Sequence, residues 1–293
     1  MFLSQNWNDY ELIDASRGEK LERWGSVILR RPDPQIVWTV SDDEKSDLWN
    51  RADARYIRSA KGGGSWRTFK KIPEYWTINY KNLRFKITPM GFKHTGLFPE
   101  QAANWDWFSD IIRSSGRSRN DINVLNLFAY TGGASIAALE AGASVCHVDA
   151  AKGMVTRAKE NAALSGLSDL PIRYIVDDVK KFVEREIRRG RKYDGIIMDP
   201  PSYGRGPGGE VWKIEDELFG LIELCMEIMS DDPLFFLVNT YTTGLSGSVM
   251  DNILGLTIRK KFGGNIDVDE IGLPITNGGL VLPCGYSARW QRL

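Results

Sequence analysis

From about residue 120 onward the chain repeats one rhythm: a short apolar run, a turn, then a helical stretch. Ile122–Phe128, Ser144–Val148, Ile172–Val176, Tyr193–Met198 and Leu234–Val238 are apolar runs of strand length. Ala134–Ala141, Met154–Leu164, Val179–Arg189, Ile214–Met229 and Ser248–Lys260 alternate with them as helical stretches. Gly142, Gly166 and Gly190 stand just past three of those stretches, where a helix end favours glycine. Alternation of this kind predicts a doubly wound, mostly parallel sheet, an α/β fold. Two final runs, near Ile266–Ile271 and Leu280–Arg289, leave no room for a helix between them, so they should pair as an antiparallel hairpin. The expected sheet then has seven strands. Right-handed crossovers put a ligand site at the C-terminal strand edge, where the strand order reverses.

Residues 1–90 follow no such rhythm. Short runs rich in aromatic and β-branched residues, at Ser26–Leu29, Ile36–Val40, Trp66–Lys70, Tyr75–Tyr80 and Leu83–Thr88, are broken by Pro, Gly and Asp. The reading is a small β-rich domain over 1–90, followed by the α/β domain over 91–293.

The 293 residues carry 38 Lys/Arg and 38 Asp/Glu, so net charge points to neither nucleic acid nor membrane. The distribution says more. Arg51–Lys93 holds eleven Lys/Arg against Asp53 and Glu74, interleaved with Tyr56, Trp66, Phe69, Tyr75, Trp76, Tyr80, Phe85 and Phe92. Charge interleaved with stacking rings is what single-stranded nucleic acid binds, although a β-domain with a solvated basic face reads the same way. "KGGGSWR" (61–67) is either a mobile glycine loop or an ordinary hairpin turn.

Cys146, Cys225 and Cys284 are odd in number and widely spaced, without a CxxC. That pattern excludes a disulfide framework and a zinc site, and it points to the reducing cytoplasm. The start has no signal-peptide pattern, and no apolar run approaches the roughly 18 residues of a membrane span. His94 reads as a structural hydrogen-bonder rather than a base, and His147 as a buried strand residue.

The strand ends carry the chemistry. "NVLNLFAYTGGAS" (123–135) is strand, glycine turn and helix start, with Gly132 and Gly133 letting a ligand approach the backbone. It lacks the GxGxxG of a pyrophosphate site. Asp149 ends the next strand, as an acceptor for ribose hydroxyls, an N-cap, or both. Asp177-Asp178 ends the third, either as an acceptor for an adenine amino group beside the Val179 N–H or as a helix cap. Asp199-Pro200-Pro201 ends the fourth. Prolines fix φ and remove donors, so Asp199 and the Pro200 carbonyl form a rigid edge of acceptors, with Tyr203 as a stacking platform. In sequence, these ends describe a site for an adenosine-bearing ligand without a phosphate clamp.

The stretches "HTGLFPEQAANW" (94–105), "VLNLFAYTGGASIAALEAGA" (124–143), "HVDAAKGMVTRAKENAALSGL" (147–167), "VDDVKKFV" (176–183) and "YDGIIMDPPSYG" (193–204) resemble the class I S-adenosylmethionine-dependent methyltransferases. Within that class they look like the branch that methylates large-subunit ribosomal RNA. The resemblance implies that Asn126, Phe128, Ala129, Thr131 and Gly132 line the methionine part of the cofactor. It implies Asp149 and Ala150 at the ribose, and Asp177, Asp178 and Val179 at the adenine. Thr95, Phe98 and Gln101 would close over the cofactor, although Pro99-Glu100 departs from the family's pattern there. Asp199 would face both the sulfonium and the acceptor, with Pro200 and Tyr203 beside it.

Relatives that methylate cytosine C5 carry a nucleophilic cysteine after the fifth strand. This chain has Asn239-Thr240-Tyr241-Thr242 there, so direct transfer to nitrogen or oxygen fits better. Three functions follow: an RNA methyltransferase, a methyltransferase for a small molecule or protein, and a non-catalytic nucleotide-binding module. RNA is the expected partner and no membrane is; monomer and homodimer both fit.

Overall fold

The computed structural model describes residues 1–39, 46–59, 63–91, 93–206, 209–242 and 244–292. Val40, Lys61, Gly62, Phe92, Pro207, Gly208 and Thr243, which enter the sequence reading, lie outside the described residues. The chain divides into two compact units. One is Leu3–Ala102 with Gly272–Cys284; the other is Ala103–Ile271 with Met1–Phe2 and Gly285–Leu293. The sequence reading divides the chain at residue 90.

In the N-terminal part, β1 (Phe2–Leu3), β2 (Tyr10–Ser16), β3 (Glu19–Trp24) and β4 (Val27–Pro32) precede a one-turn helix, α1 (Ser46–Trp49). β5 (Ala54–Arg58), β6 (Gly64–Thr68), β7 (Trp76–Tyr80) and β8 (Leu83–Ile87) follow. Strands β2-β3-β4-β5-β6 form one sheet in that order, and β7-β8 a two-stranded one. Ile36–Val40 is no strand over its described residues: Asp33-Pro34 turns the chain, Val37 is 89% exposed, and the Ile36 and Trp38 carbonyls accept from Gly18 and Arg17. β2 and β3 carry buried charge. Glu22 accepts two bonds from Arg31 at 2.6 and 2.7 Å and one from the Tyr10 hydroxyl at 2.8 Å. Asp14 sits at a register shift in β2 and accepts from the Trp49 indole at 2.6 Å.

The second unit opens with α2 (Ala102–Ser114) and continues through β9 (Asn123–Leu127), α3 (Gly133–Ala141), β10 (Ser144–Asp149), α4 (Lys152–Leu164), β11 (Ile172–Val176) and α5 (Val179–Arg188). β12 (Gly195–Met198) leads to a small hairpin, β13 (Tyr203–Arg205) and β14 (Val211–Lys213), then to α6 (Ile214–Ile228) and β15 (Phe235–Thr240). α7 (Gly247–Leu254) runs into a π-turn at Gly255–Arg259 and a last turn, α8 (Lys260–Phe262), where the sequence predicts one unbroken helix. The Thr257 hydroxyl donates to the Ile253 carbonyl at 2.7 Å, the back-bonding that loosens a helix ladder. β16 (Asn265–Pro274) and β17 (Val281–Gln291) complete the chain.

The large sheet has the order β11-β10-β9-β12-β15-β17-β16-β1. β11 through β15 pair in parallel, and β17 lies antiparallel to β15. This is the doubly wound α/β sheet the rhythm predicts, with the two-residue β1 as an eighth strand. Val179, Phe182 and Val183 of α5, Leu218, Ile222 and Cys225 of α6 and Met250 and Leu254 of α7 pack with Leu125, Ile196 and Phe236 of the strands in one core. Burying each large side chain of that set contributes roughly 1.5–3 kcal/mol. The order reverses between β9 and β12, so the site belongs at the C-terminal ends of those two strands.

Candidate active site

The turn after β9 is strained and held. Phe128 and Tyr130 have φ of 54° and 50°, and Gly132 follows at 86°. A non-glycine residue in this region costs about 1–3 kcal/mol and persists only where its surroundings fix it. Asp149 Oδ2 accepts the Tyr130 N–H at 2.8 Å, and the Asn161 amide donates to the Thr131 carbonyl at 2.9 Å. Beneath the turn, the buried Asn126 amide donates to the Ser135 hydroxyl at 2.9 Å, and Ser135 lies 2.9 Å from His147 Nδ1.

The two glycines also answer to packing. A Cβ on Gly132 would lie 2.8 Å from Ala158 Cβ, and one on Gly133 would lie 2.6 Å from the Trp105 ring. They let α4 and α2 close against the turn.

Asp149 sits at the end of β10. It does not cap α4: the N-cap is Ala151, whose own N–H donates to Asp149 Oδ1 at 2.8 Å. Burial raises this carboxyl, the two backbone N–H groups oppose that, and no cation contributes. Each oxygen accepts one of these bonds and keeps capacity for a hydroxyl donor. That donor set fits a ribose.

At the end of β11, Asp178 is the N-cap of α5 and accepts the Lys181 N–H at 3.0 Å. Asp177 accepts the Asp178 N–H at 2.9 Å and pairs with Arg185. The glycine-rich stretch after Tyr203 forms the β13–β14 hairpin over its described residues. It reaches the same place. A Cβ on Gly206 would lie 3.3 Å from Asp178 Oδ2, and Glu210 pairs with Lys181. Trp212 packs on Phe128 at 4.9 Å between centroids and donates its indole N–H to the Pro201 carbonyl at 2.6 Å. Val179, at the start of α5, is buried, and Ala150 lies half-buried after Asp149.

Asp199 follows β12 and accepts from the Asn239 amide at 3.3 Å. Pro200 is buried and Pro201 exposed. Tyr203 is 52% exposed on β13, opposite Lys213. The Ser202 and Thr242 hydroxyls lie 2.6 Å apart. One unit thus brings together the Asn126–Gly132 turn, Asp149, Asp177-Asp178 and Asp199–Tyr203. The contribution of Asn239 was not read from sequence; its strand-end position was the only signal.

Thr95, Phe98 and Gln101 belong to the other unit. Thr95 is fully buried, and its hydroxyl has no hydrogen-bond partner among the described residues. Phe98 stands edge-on to His94 at 5.2 Å, and its carbonyl accepts the Gln101 N–H at 3.1 Å. Burial and the nearby Arg31, Lys93 and Lys20 hold His94 down at about 4, so it is neutral at pH 7.

Burial pushes the Cys146 thiol up to about 11 and raises those of Cys225 and Cys284 as well. The thiolate is the nucleophile, so none of the three is activated.

The chain belongs to the S-adenosylmethionine-dependent methyltransferase family, whose model matches residues 52–216. It is 40% identical over 175 residues to "Ribosomal RNA large subunit methyltransferase I" of Tolumonas auensis, covering 58% of this chain and 40% of that protein. It is 35% identical over 147 residues to "Ribosomal RNA large subunit methyltransferase K/L" of Shewanella frigidimarina, covering 48% of this chain and 19% of that protein. The chain therefore spans less than half the length of these curated relatives. Among solved structures, the "SAM Dependent Methyltransferase from Agrobacterium tumefaciens" superposes with a TM-score of 0.92 at 36% identity, covering 99% of this chain and 93% of that one. Among the described residues no helix is long and apolar enough to cross a membrane.

Proposed function

We propose that this chain methylates large-subunit ribosomal RNA with S-adenosylmethionine, by direct transfer to a base nitrogen in the cytoplasm. S-adenosylmethionine supplies an electrophilic methyl group on a positively charged sulfur. Asp149 holds the ribose, Asp178 and the Val179 N–H hold the adenine, and the Phe128–Gly132 turn lines the methionine part. Asp199 and the Pro200 carbonyl accept from the N–H of the acceptor base, and Tyr203 stacks on its ring. When the methyl group leaves sulfur, whose electron pair would stay behind on a neutral thioether, Asp199 or solvent would take the proton that the acceptor nitrogen gives up.

The observation that carries direct transfer is the rigid acceptor edge at Asp199-Pro200 in a chain whose three thiols are all raised by burial. Covalent attack on a pyrimidine needs a thiolate. RNA is supported by the names of the two curated relatives, both ribosomal RNA large subunit methyltransferases, and by exposed rings in the N-terminal unit. Arg67 lies over Phe69 at 5.4 Å and Lys86 over Tyr75 at 4.5 Å, and the two rings are 51% and 55% exposed. Cation-bearing rings are what an unpaired base stacks on.

The test is transfer of labelled methyl into total RNA from a strain lacking the gene, with nucleoside mapping. Label on a base nitrogen of large-subunit RNA is expected. Label on a pyrimidine C5, or none in RNA, would overturn the reading.

A further inference from the structure

Asp199 ends a buried chain of hydrogen bonds that begins 90 residues away in sequence. Arg289 on β17 donates Nε and Nη2 to Asn104 Oδ1 at 2.9 and 2.8 Å, and Nη2 to the Ala103 carbonyl at 3.0 Å. Asn104 on α2 donates Nδ2 to Ser287 Oγ at 2.9 Å. Ser287 donates to Asn239 Oδ1 at 2.6 Å, and Asn239 donates Nδ2 to Asp199 Oδ1 at 3.3 Å. Asn104 and Ser287 are fully buried, and Asn239 and Arg289 are 1% and 8% exposed. The guanidinium lies 3.6 Å over the Phe2 ring and 5.3 Å from that of Trp107. Burial lowers Arg289 to about 10, so it is charged at neutral pH.

The direction of this chain is not free. A guanidinium only donates, so Asn104 must turn its oxygen to Arg289 and its NH₂ to Ser287. Ser287 has one proton; accepting from Asn104, it gives that proton to Asn239 Oδ1. Asn239 is then left with its NH₂ toward Asp199. A guanidinium that only donates at one end and a carboxylate that only accepts at the other leave one self-consistent orientation for the two amides and the hydroxyl between them. Networks of this kind act as a unit in a low-dielectric interior.

We propose that Arg289, Asn104 and Ser287 are positioning residues for methyl transfer: their relay fixes the Asn239 amide as a donor to Asp199, which keeps that carboxylate an oriented acceptor for the substrate N–H. The consequence for transfer rests on the function proposed above; the direction of the relay does not.

Asn104→Asp separates positioning from mere structure. An aspartate keeps the pair with Arg289 and nearly the same volume, but it has no proton for Ser287. Ser287 then donates to residue 104, its Oγ no longer gives a proton to Asn239 Oδ1, and that Oγ competes with Asp199 for the Asn239 NH₂, so the bond to Asp199 is weakened. Selective ¹⁵N-asparagine labelling reads this directly, through the Asn239 side-chain resonance that disappears or moves in Asp199→Ala. That carboxylate-bonded signal is expected unchanged in the wild type and in Ser287→Thr, and is expected to shift or vanish in Asn104→Asp and Ser287→Ala. With RNA substrate, kcat falls at least tenfold in both loss variants, with cofactor Kd within about threefold of wild type, and Ser287→Thr restores it. A folded Asn104→Asp that keeps the carboxylate-bonded signal unchanged overturns the relay. One that shifts or loses the signal but keeps wild-type kcat overturns its role in transfer. A wild type that methylates no RNA overturns the proposed function and leaves the resonance test standing.

Discussion

Lowering the pH should destabilise this protein through His147, and the size of the effect follows from its surroundings. The ring is fully buried, with Nδ1 2.9 Å from Ser135 Oγ and Nε2 without a hydrogen-bond partner among the described residues. Burial alone pulls it down to about 3 from an ordinary 6.5. Between these values the unfolded chain binds a proton that the folded one refuses, so stability rises with pH across that window and falls as pH drops from about 6.5 toward 3. At 1.36 kcal/mol per unit, the loss relative to pH 7.5 is about 0.8 kcal/mol at pH 6 and about 2 kcal/mol at pH 5. Urea unfolding of wild type and His147→Gln at pH 7.5, 6 and 5 isolates this loss. Glutamine stays neutral throughout, and the chain's other histidine, His94, is common to both proteins and cancels in the difference. The difference in unfolding free energy should move by about 2 kcal/mol in favour of the variant between pH 7.5 and pH 5. Parallel pH dependences would refute the reasoning, because they would mean that water or a rearranged Ser135 accommodates the charged ring. The cost also reaches the site. The Asn126 amide donates to Ser135, so the Ser135 proton goes to His147 Nδ1. A protonated ring would displace that proton and break the cluster beneath the Phe128–Gly132 turn.

Gly133→Ala should lower stability by about 1–3 kcal/mol in urea melts, since its Cβ would sit 2.6 Å from the Trp105 ring and the backbone angle itself imposes no penalty; combining it with Trp105→Phe should recover part of that loss, and equal losses in the single and double variants would count against the clash. Asp149→Ala removes the acceptor of the Tyr130 and Ala151 N–H groups along with the proposed ribose contact, and cofactor affinity by calorimetry should fall about 100-fold; a change under threefold would disprove that contact. Replacing Arg67 and Lys86 together by alanine should flatten the plot of log affinity for single-stranded RNA against log salt by about 1.4, if each meets one phosphate. Cys284→Ala should keep turnover within about twofold, whereas abolished transfer would reinstate a covalent route.

How legible each region was depends on what its strands bury. The parallel strands β9, β10, β12 and β15 are buried along most or all of their length, so they read as plain apolar runs and the sequence reading met them within about two residues. β2 and β3 went unread for the opposite reason. Asp14, Glu22 and, on β4, Arg31 point into the interior and satisfy one another or Trp49 and Tyr10, so inward positions look polar in the sequence. Within the site, Asp149, Asp178 and Asp199 were visible because a strand end is a local feature. The residues that orient Asp199 were not. Asn239 lies 40 positions from it, Ser287 a further 48, and Asn104 183 positions before Ser287. No periodicity or motif links them; only the sheet order, with β17 antiparallel beside β15, brings Ser287 to Asn239.

The same reasoning changes what the stretch after Asp199-Pro200-Pro201 is for. A glycine-rich segment invites the picture of an open loop that admits substrate. Its described ends form a hairpin with fixed attachments: Trp212 against Phe128 and onto the Pro201 carbonyl, Glu210 to Lys181, and Gly206 beside Asp178. Phe128 occupies a left-handed backbone region that costs it about 1–3 kcal/mol, and Trp212 packs on that residue, as Asp149 bonds the equally strained Tyr130. The turn after β9 is therefore held from two directions, by an acid on β10 and by a ring contributed after β12. A Cβ at 206 would meet the Glu210 carboxylate, the far end of a side chain that can swing aside, and would lie 3.3 Å from Asp178 Oδ2, so the hairpin passes close to the strand-end acid. The paired glycines after β9 admit Ala158 and the Trp105 ring, and the hairpin after β12 is fastened at Trp212 and Glu210; fixed attachments of this kind are what transfer by orientation rather than by a nucleophile requires.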